Sequence, residues 1–165
     1  MSQKPSSGVA LRRLRQSQGF TLIELMVVVL IIAVLIGIGI PQFLVFRSRA
    51  QDSAAMHALT VAHKTSFVVA IEQDGFPDAA TLAASLPIVE PVLAWVDDVT
   101  ASTGPSVVSV ADDAAGTELA LAARSLSGRC FYLRMSLTAG VVKQYVDNPA
   151  ICRAADFRDG ADTGW

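Results

Sequence analysis

The chain has 165 residues, a formal net charge of −2 and an apolar fraction of 52%, enough for one modest globular domain plus a further segment. Its first 19 residues carry four basic and no acidic side chains, and the remainder carries nine basic and fifteen acidic ones. An acidic body repels phosphate backbones, so this balance argues against a nucleic-acid partner.

The first predicted element is a membrane-spanning helix. Residues 25–40 form sixteen consecutive positions without a charged or strongly polar side chain, and the surrounding apolar block runs from Phe20 to Phe46. A helix of that length measures about 40 Å, which exceeds the ~30 Å hydrocarbon core of a bilayer. Because the basic residues precede it, the positive-inside bias places the amino terminus in the cytoplasm and the acidic body outside.

One carboxylate, Glu24, lies near the start of this apolar block, where an isolated charge costs at least about 2.5–3.5 kcal/mol. An ordinary secretory signal has a shorter apolar core followed by a small-residue cleavage site, whereas here the small residue, Gly19, precedes the core. Cleavage after Gly19 would create an α-amino group on Phe20, about one helical turn from Glu24. The pair could form within one chain or between subunits; the alternative is a Glu24 that reaches the lipid headgroups.

The segment Gly19-Phe20-Thr21-Leu22-Ile23-Glu24, behind a basic leader and ahead of an apolar helix containing Pro41, resembles the class III signal of type IV pilins and pseudopilins. The resemblance implies cleavage between Gly19 and Phe20 by a prepilin peptidase and N-methylation of Phe20. It also implies extraction into a helical fibre of identical or related pilin subunits by a cytoplasmic ATPase and a platform protein. The chain would then be a structural subunit, with no enzymatic activity and no cofactor.

Two glycines and a proline interrupt the apolar helix at Gly37, Gly39 and Pro41. Pro41 cannot donate a backbone hydrogen bond to the carbonyl of Gly37, and each glycine lowers helix propensity by about 1 kcal/mol relative to alanine. One interpretation is a simple kink, which membrane helices tolerate. The family resemblance implies a second one, in which residues 37–41 loosen inside the fibre and make it extensible.

The same helix is predicted to continue to Gln73, with an apolar-to-small stripe at Ala55, Leu59, Ala62, Ser66 and Val69 and with Asp52 on another face. Beyond it, the sequence predicts a short helix over residues 79–86 with Asp78 as N-cap, ended by Pro87. Residues 91–99 are predicted to add a helical turn or two, with Trp95 facing inward. Four strands are predicted over residues 106–110, 117–125, 129–137 and 141–146, arranged as an antiparallel meander.

Two cysteines, Cys130 and Cys152, lie 22 positions apart with no metal-binding spacing around them. If the body is exported, they are predicted to form one disulfide; the alternative is two unrelated buried thiols. Three acids near the carboxyl end, Asp156, Asp159 and Asp162, are weak calcium candidates, since their spacing does not fit an EF-hand loop. Major pseudopilins, which this chain also resembles, hold calcium in such a loop.

These observations predict an α+β fold in which a long amino-terminal helix packs on a small antiparallel sheet. The predicted parts are a leader over residues 1–19, a transmembrane and assembly helix over 20–46, and an extracytoplasmic domain over 47–165. The subunit would begin as a single-pass protein of the cytoplasmic membrane, in contact with lipid, and end in a surface fibre used for adhesion, motility or DNA uptake. Two alternatives stay open: a pseudopilin of a type II secretion system, and an anchored binding domain that never polymerises.

Overall fold

The computed structural model describes residues 19–113, 115–157 and 164–165, and the chain divides into two compact units between Pro41 and Gln42. Helix α1, Leu22–Glu72, contributes to both units and is α-helical throughout, including Gly37, Gly39 and Pro41. The long helix predicted from the sequence is confirmed. In the first unit every described side chain is exposed, because the helix is apolar on all sides and has no core of its own to face.

In the second unit, α1 buries one stripe of small and apolar side chains. All five predicted positions are buried, with Ala55, Leu59, Ala62 and Ser66 fully inaccessible. The prediction that Asp52 lies on another face was wrong, because Asp52 is buried together with the stripe and is only 5% exposed. The stripe extends over about four helical turns, and its apolar members belong to the main hydrophobic core.

Helix α2, Ala79–Val89, begins as predicted at Asp78, whose Oδ1 accepts a hydrogen bond from the amide of Thr81 at 3.0 Å. Its predicted end at Pro87 was wrong. A proline removes one backbone donor but leaves the following amides free, and the amide of Glu90 closes the last turn by donating to the carbonyl of Leu86 at 2.8 Å. The helix therefore continues for two residues past the proline.

Five strands form one sheet in the order β1-β2-β3-β4-β5. The predicted antiparallel meander is confirmed over β2 to β5, which comprise Val107–Asp112, Glu118–Arg124, Cys130–Ser136 and Gly140–Val146. The helical turns predicted over residues 91–99 are absent: β1, Ala94–Val96, pairs in parallel with β2 there. The sheet is therefore mixed, although Trp95 does point inward as predicted and is 8% exposed.

The two faces of the sheet have different covers. One face packs with α1 and α2 to form the main core, which includes Leu59, Leu82, Leu121 and Leu133. The other face carries a smaller cluster of Ala122, Tyr132, Ala154 and the two cysteines. Cys130 on β4 is bonded to Cys152, with 5.6 Å between the Cα atoms, which confirms the predicted disulfide. The bond holds the segment after β5 against this second face.

Turn geometry between β2 and β3 depends on a carboxylate. Asp113 Oδ1 accepts hydrogen bonds from the amides of Glu118 and Thr117, both at 2.7 Å, and Oδ2 accepts from the Thr117 hydroxyl at 2.8 Å. The Glu118 amide, followed by the Thr117 groups, holds the pKa of Asp113 below its ordinary value. The loop is thus best ordered when this side chain is ionised.

Two buried serines provide a matched stability test. Ser66 Oγ in the helix stripe has no hydrogen-bond partner among the described residues. In contrast, Ser102 Oγ donates its hydrogen to the carbonyl of Val107 at 2.6 Å, shares it with the carbonyl of Gly104 at 3.1 Å, and accepts from the amide of Arg124. Leaving a buried hydroxyl unpaired costs about 1–3 kcal/mol. We expect Ser66→Ala to raise the free energy of unfolding by about 1 kcal/mol and Ser102→Ala to lower it by about 1–3 kcal/mol.

Denaturant unfolding of the full chain in detergent, followed by circular dichroism, measures both serine variants. Equal destabilisation by the two substitutions would show that Ser66 has a partner after all.

Candidate functional site

The candidate site is the exposed apolar surface at the start of α1. Phe20 is 81% exposed, and the following side chains remain exposed through Phe46. By length and composition, α1 is the one helix among the described residues able to cross a membrane. Twenty-odd exposed apolar side chains far exceed what a soluble monomer shows to water, so this surface requires a cover of lipid or protein.

Glu24 closes a capping box at the beginning of this helix. Its Oε2 atom accepts hydrogen bonds from the amide of Thr21 at 2.9 Å and from the Thr21 hydroxyl at 2.7 Å, while the Glu24 amide donates to Thr21 Oγ1 at 3.3 Å. Thr21 is thus the N-cap and Glu24 the third helical residue, which is the arrangement typical of the Thr-x-x-Glu pattern. This capping role was not predicted, although the Thr-x-x-Glu spacing in the sequence indicates it.

The capping box engages only one of the two carboxylate oxygens of Glu24. Both bonds from Thr21 reach Oε2, and Oε1 has no hydrogen-bond partner among the described residues. The helix amino terminus supports the negative charge, because unpaired amides and the macrodipole favour an anion there. Glu24 can therefore keep its local cap and still accept a strong hydrogen bond from a cation at Oε1.

The glycines in and before the apolar helix have no packing role in the isolated chain. A Cβ atom added at Gly19, Gly37 or Gly39 would meet no heavy atom within 4 Å. Packing within one molecule therefore does not require glycine at these positions. Any requirement for glycine there must arise from a partner or from the flexibility of the backbone.

A second polar cluster, which the sequence analysis did not find, lies in the second unit around Asp52. Its carboxylate accepts hydrogen bonds from the Ser127 hydroxyl and from Arg129 Nη1, the latter at 3.0 Å, and Arg129 Nε contacts Asp147 Oδ1 at 2.6 Å. Asp147, and then Asp52, raise the pKa of Arg129 above its ordinary value. The cluster connects α1 with the β3–β4 turn and with the end of β5, residues that are 75 or more positions from Asp52.

The calcium prediction is only partly within the described residues. Asp156 lies in a short 3₁₀ helix, Ala154–Asp156, and its carboxylate pairs with Arg153 at 3.0 and 3.1 Å. Asp159 and Asp162 lie outside the part of the chain that the structure describes. Among the described side chains, no group of three or more acids, histidines or cysteines is arranged to hold a metal ion.

Comparison with known proteins identifies the apolar segment. Residues 14–40 match the family model for the prokaryotic N-terminal methylation motif. The chain is 44% identical over 68 residues to the type IV major pilin protein PilA of Myxococcus xanthus, which is 39% of this chain and 30% of that protein. The amino-terminal part of the chain is thus similar to type IV pilins.

A second similar protein is also a pilus component by name. The type IV wide pilus major component PilA4 of Thermus thermophilus is 38% identical over 63 residues, which is 38% of this chain and 48% of that protein. The chain thus spans less than half the length of both pilins it matches. No solved structure matches it significantly. By name, one of these relatives is a major pilin and the other is the major component of a wide type IV pilus.

Proposed function

We propose that this chain is a type IV pilin, which is made as a precursor, cut between Gly19 and Phe20, methylated on the new amino group and polymerised into a type IV pilus. The observation that carries the proposal is the completely uncovered apolar helix of the first unit, next to the prepilin-type motif. The apolar side chains of such a helix can be shielded from water by lipid before assembly and by the same helix of other subunits afterwards. The part of the second unit that follows Phe46 has its own hydrophobic core.

Before assembly, the subunit is proposed to span the cytoplasmic membrane once, with its amino terminus in the cytoplasm. The charge asymmetry across the apolar block supports this orientation. The buried disulfide supports the exported location of the second unit, because such bonds persist in oxidising compartments. The prepilin peptidase, the platform protein and the ATPase are the proposed partners at this stage.

During assembly, the new α-amino group of Phe20 is proposed to pair with Glu24 Oε1 of a neighbouring subunit. The unpaired Oε1 supports this step, because the carboxylate can accept the ammonium without giving up its capping box. Inside a shaft of apolar helices, each unpaired charge would be strongly unfavourable. The contact therefore selects the axial register in which every ammonium finds a carboxylate.

Gly37, Gly39 and Pro41 are proposed to supply extensibility once the fibre has formed. In the structure this stretch is helical, and its glycines contact no neighbouring side chain. A helix that lacks one hydrogen bond and contains two glycines has the lowest local stability in α1. Tension along the fibre would lengthen the helix there first.

The processing step has a direct test at Gly19. We expect Gly19→Leu to leave the full leader on the protein, because the side chain obstructs the peptidase, whereas Gly19→Ala should still be processed to a large extent. Intact-mass measurement of membrane fractions from cells with the assembly machinery distinguishes a chain beginning at Met1 from a methylated chain beginning at Phe20.

Full processing of Gly19→Leu would contradict cleavage at this bond. A wild-type chain that keeps its leader would favour the anchored domain that never polymerises, and processed subunits found only in the cell envelope would favour a pseudopilin.

A further inference from the structure

The second unit contains a cleft of about 460 Å³ in which the first charged turn of α1 faces the β3–β4 turn and the residues after β5. Val45, Arg49 and Asp52 line it from the helix, and Arg129 and Asp147 line it from the sheet side. The cleft lies entirely within residues 42–165, so its walls belong to one compact unit.

Two charged groups in the cleft can still bind a ligand, namely the guanidinium of Arg49 and one carboxylate oxygen of Asp147. Arg129 is already held between Asp52 and Asp147. Arg49 has no hydrogen-bond or ion-pair partner among the described residues. Asp147 uses only Oδ1 for Arg129, its side chain is 61% exposed, and its Oδ2 has no partner in the described part of the chain. The same opening thus offers an unpaired guanidinium and an unpaired carboxylate oxygen.

The cleft is also placed at the boundary between apolar and charged surface. Phe43, Leu44, Val45 and Phe46 are exposed apolar side chains, and the next residue, Arg47, begins the charged part of α1. Val45 lines the cleft beside Arg49. For a helix inserted in a bilayer, this change of character coincides with the depth of the lipid headgroups.

We propose that the cleft binds the headgroup of a zwitterionic phospholipid that carries a primary ammonium, namely phosphatidylethanolamine. The phosphate lies on Arg49, whose planar guanidinium suits bidentate contact with two phosphate oxygens. The ammonium donates to Oδ2 of Asp147, and Val45 contacts the beginning of the acyl chains. This site rests on the proposed membrane-anchored stage of the pilin, during which the cleft faces the outer side of the cytoplasmic membrane.

The charge pattern selects this headgroup over the other common ones. Phosphatidylcholine has the same phosphate, but its quaternary ammonium cannot donate a hydrogen bond to Asp147. Phosphatidylglycerol carries a net negative charge without an ammonium, so the Asp147 carboxylate would repel it. Free phosphate could reach Arg49 but has no group for Asp147 and no chain for Val45. A headgroup with both charges is the ligand that satisfies both free groups.

The test uses the full-length chain reconstituted in nanodiscs that contain equal amounts of the three phospholipids. After release into detergent, native mass spectrometry counts the lipids that remain bound. We expect one retained phosphatidylethanolamine per chain, in at least fivefold excess over each competitor. Arg49→Gln and Asp147→Asn should each reduce this preference to about onefold. The control Arg47→Gln, with an exposed arginine next to the cleft, should leave it unchanged.

Retention of the three lipids in equal amounts, or a preference that survives both cleft variants, would overturn the site. A preference for phosphatidylglycerol would indicate general attraction of basic side chains and would also overturn it. Excess inorganic phosphate should not displace the lipid, and displacement would show an anion site only. A chain that fails to enter nanodiscs at all would instead contradict the membrane stage of the proposed function, so the two failures can be told apart.

Discussion

We expect Glu24→Gln to enter the membrane and lose its leader normally, yet to form almost no fibres. Glutamine keeps the capping box, because its side-chain oxygen can accept from Thr21 as Glu24 Oε2 does at 2.7–2.9 Å. It cannot neutralise the ammonium of a neighbouring Phe20. Leaving one charge of a buried pair without its partner costs about 3–5 kcal/mol, which corresponds to a subunit affinity lower by roughly a hundredfold or more.

The control for this prediction is Thr21→Val, which makes the opposite change. Valine removes the hydroxyl that contacts both Oε2 and the Glu24 amide, but the carboxylate stays charged. Losing an N-cap costs about 0.5–2 kcal/mol of helix stability, so this variant should still assemble. Sheared filaments are quantified by electron microscopy and immunoblotting, with processing checked by intact mass. Normal fibres from Glu24→Gln together with none from Thr21→Val would show that capping, and not charge pairing, is the role of Glu24.

The second large effect is expected from loss of the disulfide. Cys130 and Cys152 are fully buried and close a loop with a sequence separation of 22. The chain-entropy model gives such a loop about 3 kcal/mol, and the bond also holds the segment that covers the second face of the sheet. We expect the double variant Cys130→Ala with Cys152→Ala to lower the Tm of the second unit by roughly 10 °C.

Scanning calorimetry of the oxidised protein and of the double variant, at the same pH and detergent concentration, measures this loss. The reduced wild-type chain, prepared by unfolding in reductant, is the matched control, because it keeps both sulfur atoms and lacks only the bond. If the double variant and the oxidised protein melt at the same temperature, the tail must be held by its other contacts, such as the bond from the Ala154 amide to Ser109 Oγ at 3.1 Å.

The sequence predicted those features of the fold that depend on local pattern. An uninterrupted apolar block specified the helix, the period of small residues such as Ala55 and Ala62 specified its buried face, and alternation with turn residues specified β2 to β5. The disulfide followed from the compartment that the charge asymmetry implied. Each of these inferences used residues close together in the chain or a single property of the environment.

The features that were missed depend on distant partners. Strand β1 is only three residues long and exists because Trp95 and its neighbours find a parallel edge on β2. Asp52 is buried because Ser127 and Arg129 reach it from the sheet, and without them a buried carboxylate would be unfavourable. Local composition does not contain information on such pairings, so the sequence pattern predicted a helical turn in one case and a face away from the buried stripe in the other.

The prepilin-type motif was identified from sequence, but the structure changed the interpretation of its central residue. From the sequence, Glu24 was interpreted only as a carboxylate that requires a positively charged partner. The capping box with Thr21 shows that the carboxylate already has a local role, and its unpaired Oε1 shows how a second role can be added. The structure gives Glu24 a local capping role through Oε2, and the proposed pairing with Phe20 would use Oε1.

The most direct test of the account is a cryo-electron-microscopy reconstruction of the native filament at a resolution that shows side chains. We predict subunits that begin at Phe20, with the α-amino nitrogen within hydrogen-bonding distance of Glu24 Oε1 in an adjacent subunit and Thr21 still bound to Oε2. Subunits that retain residues before Phe20, or an α-amino nitrogen with no carboxylate nearby, would contradict the account.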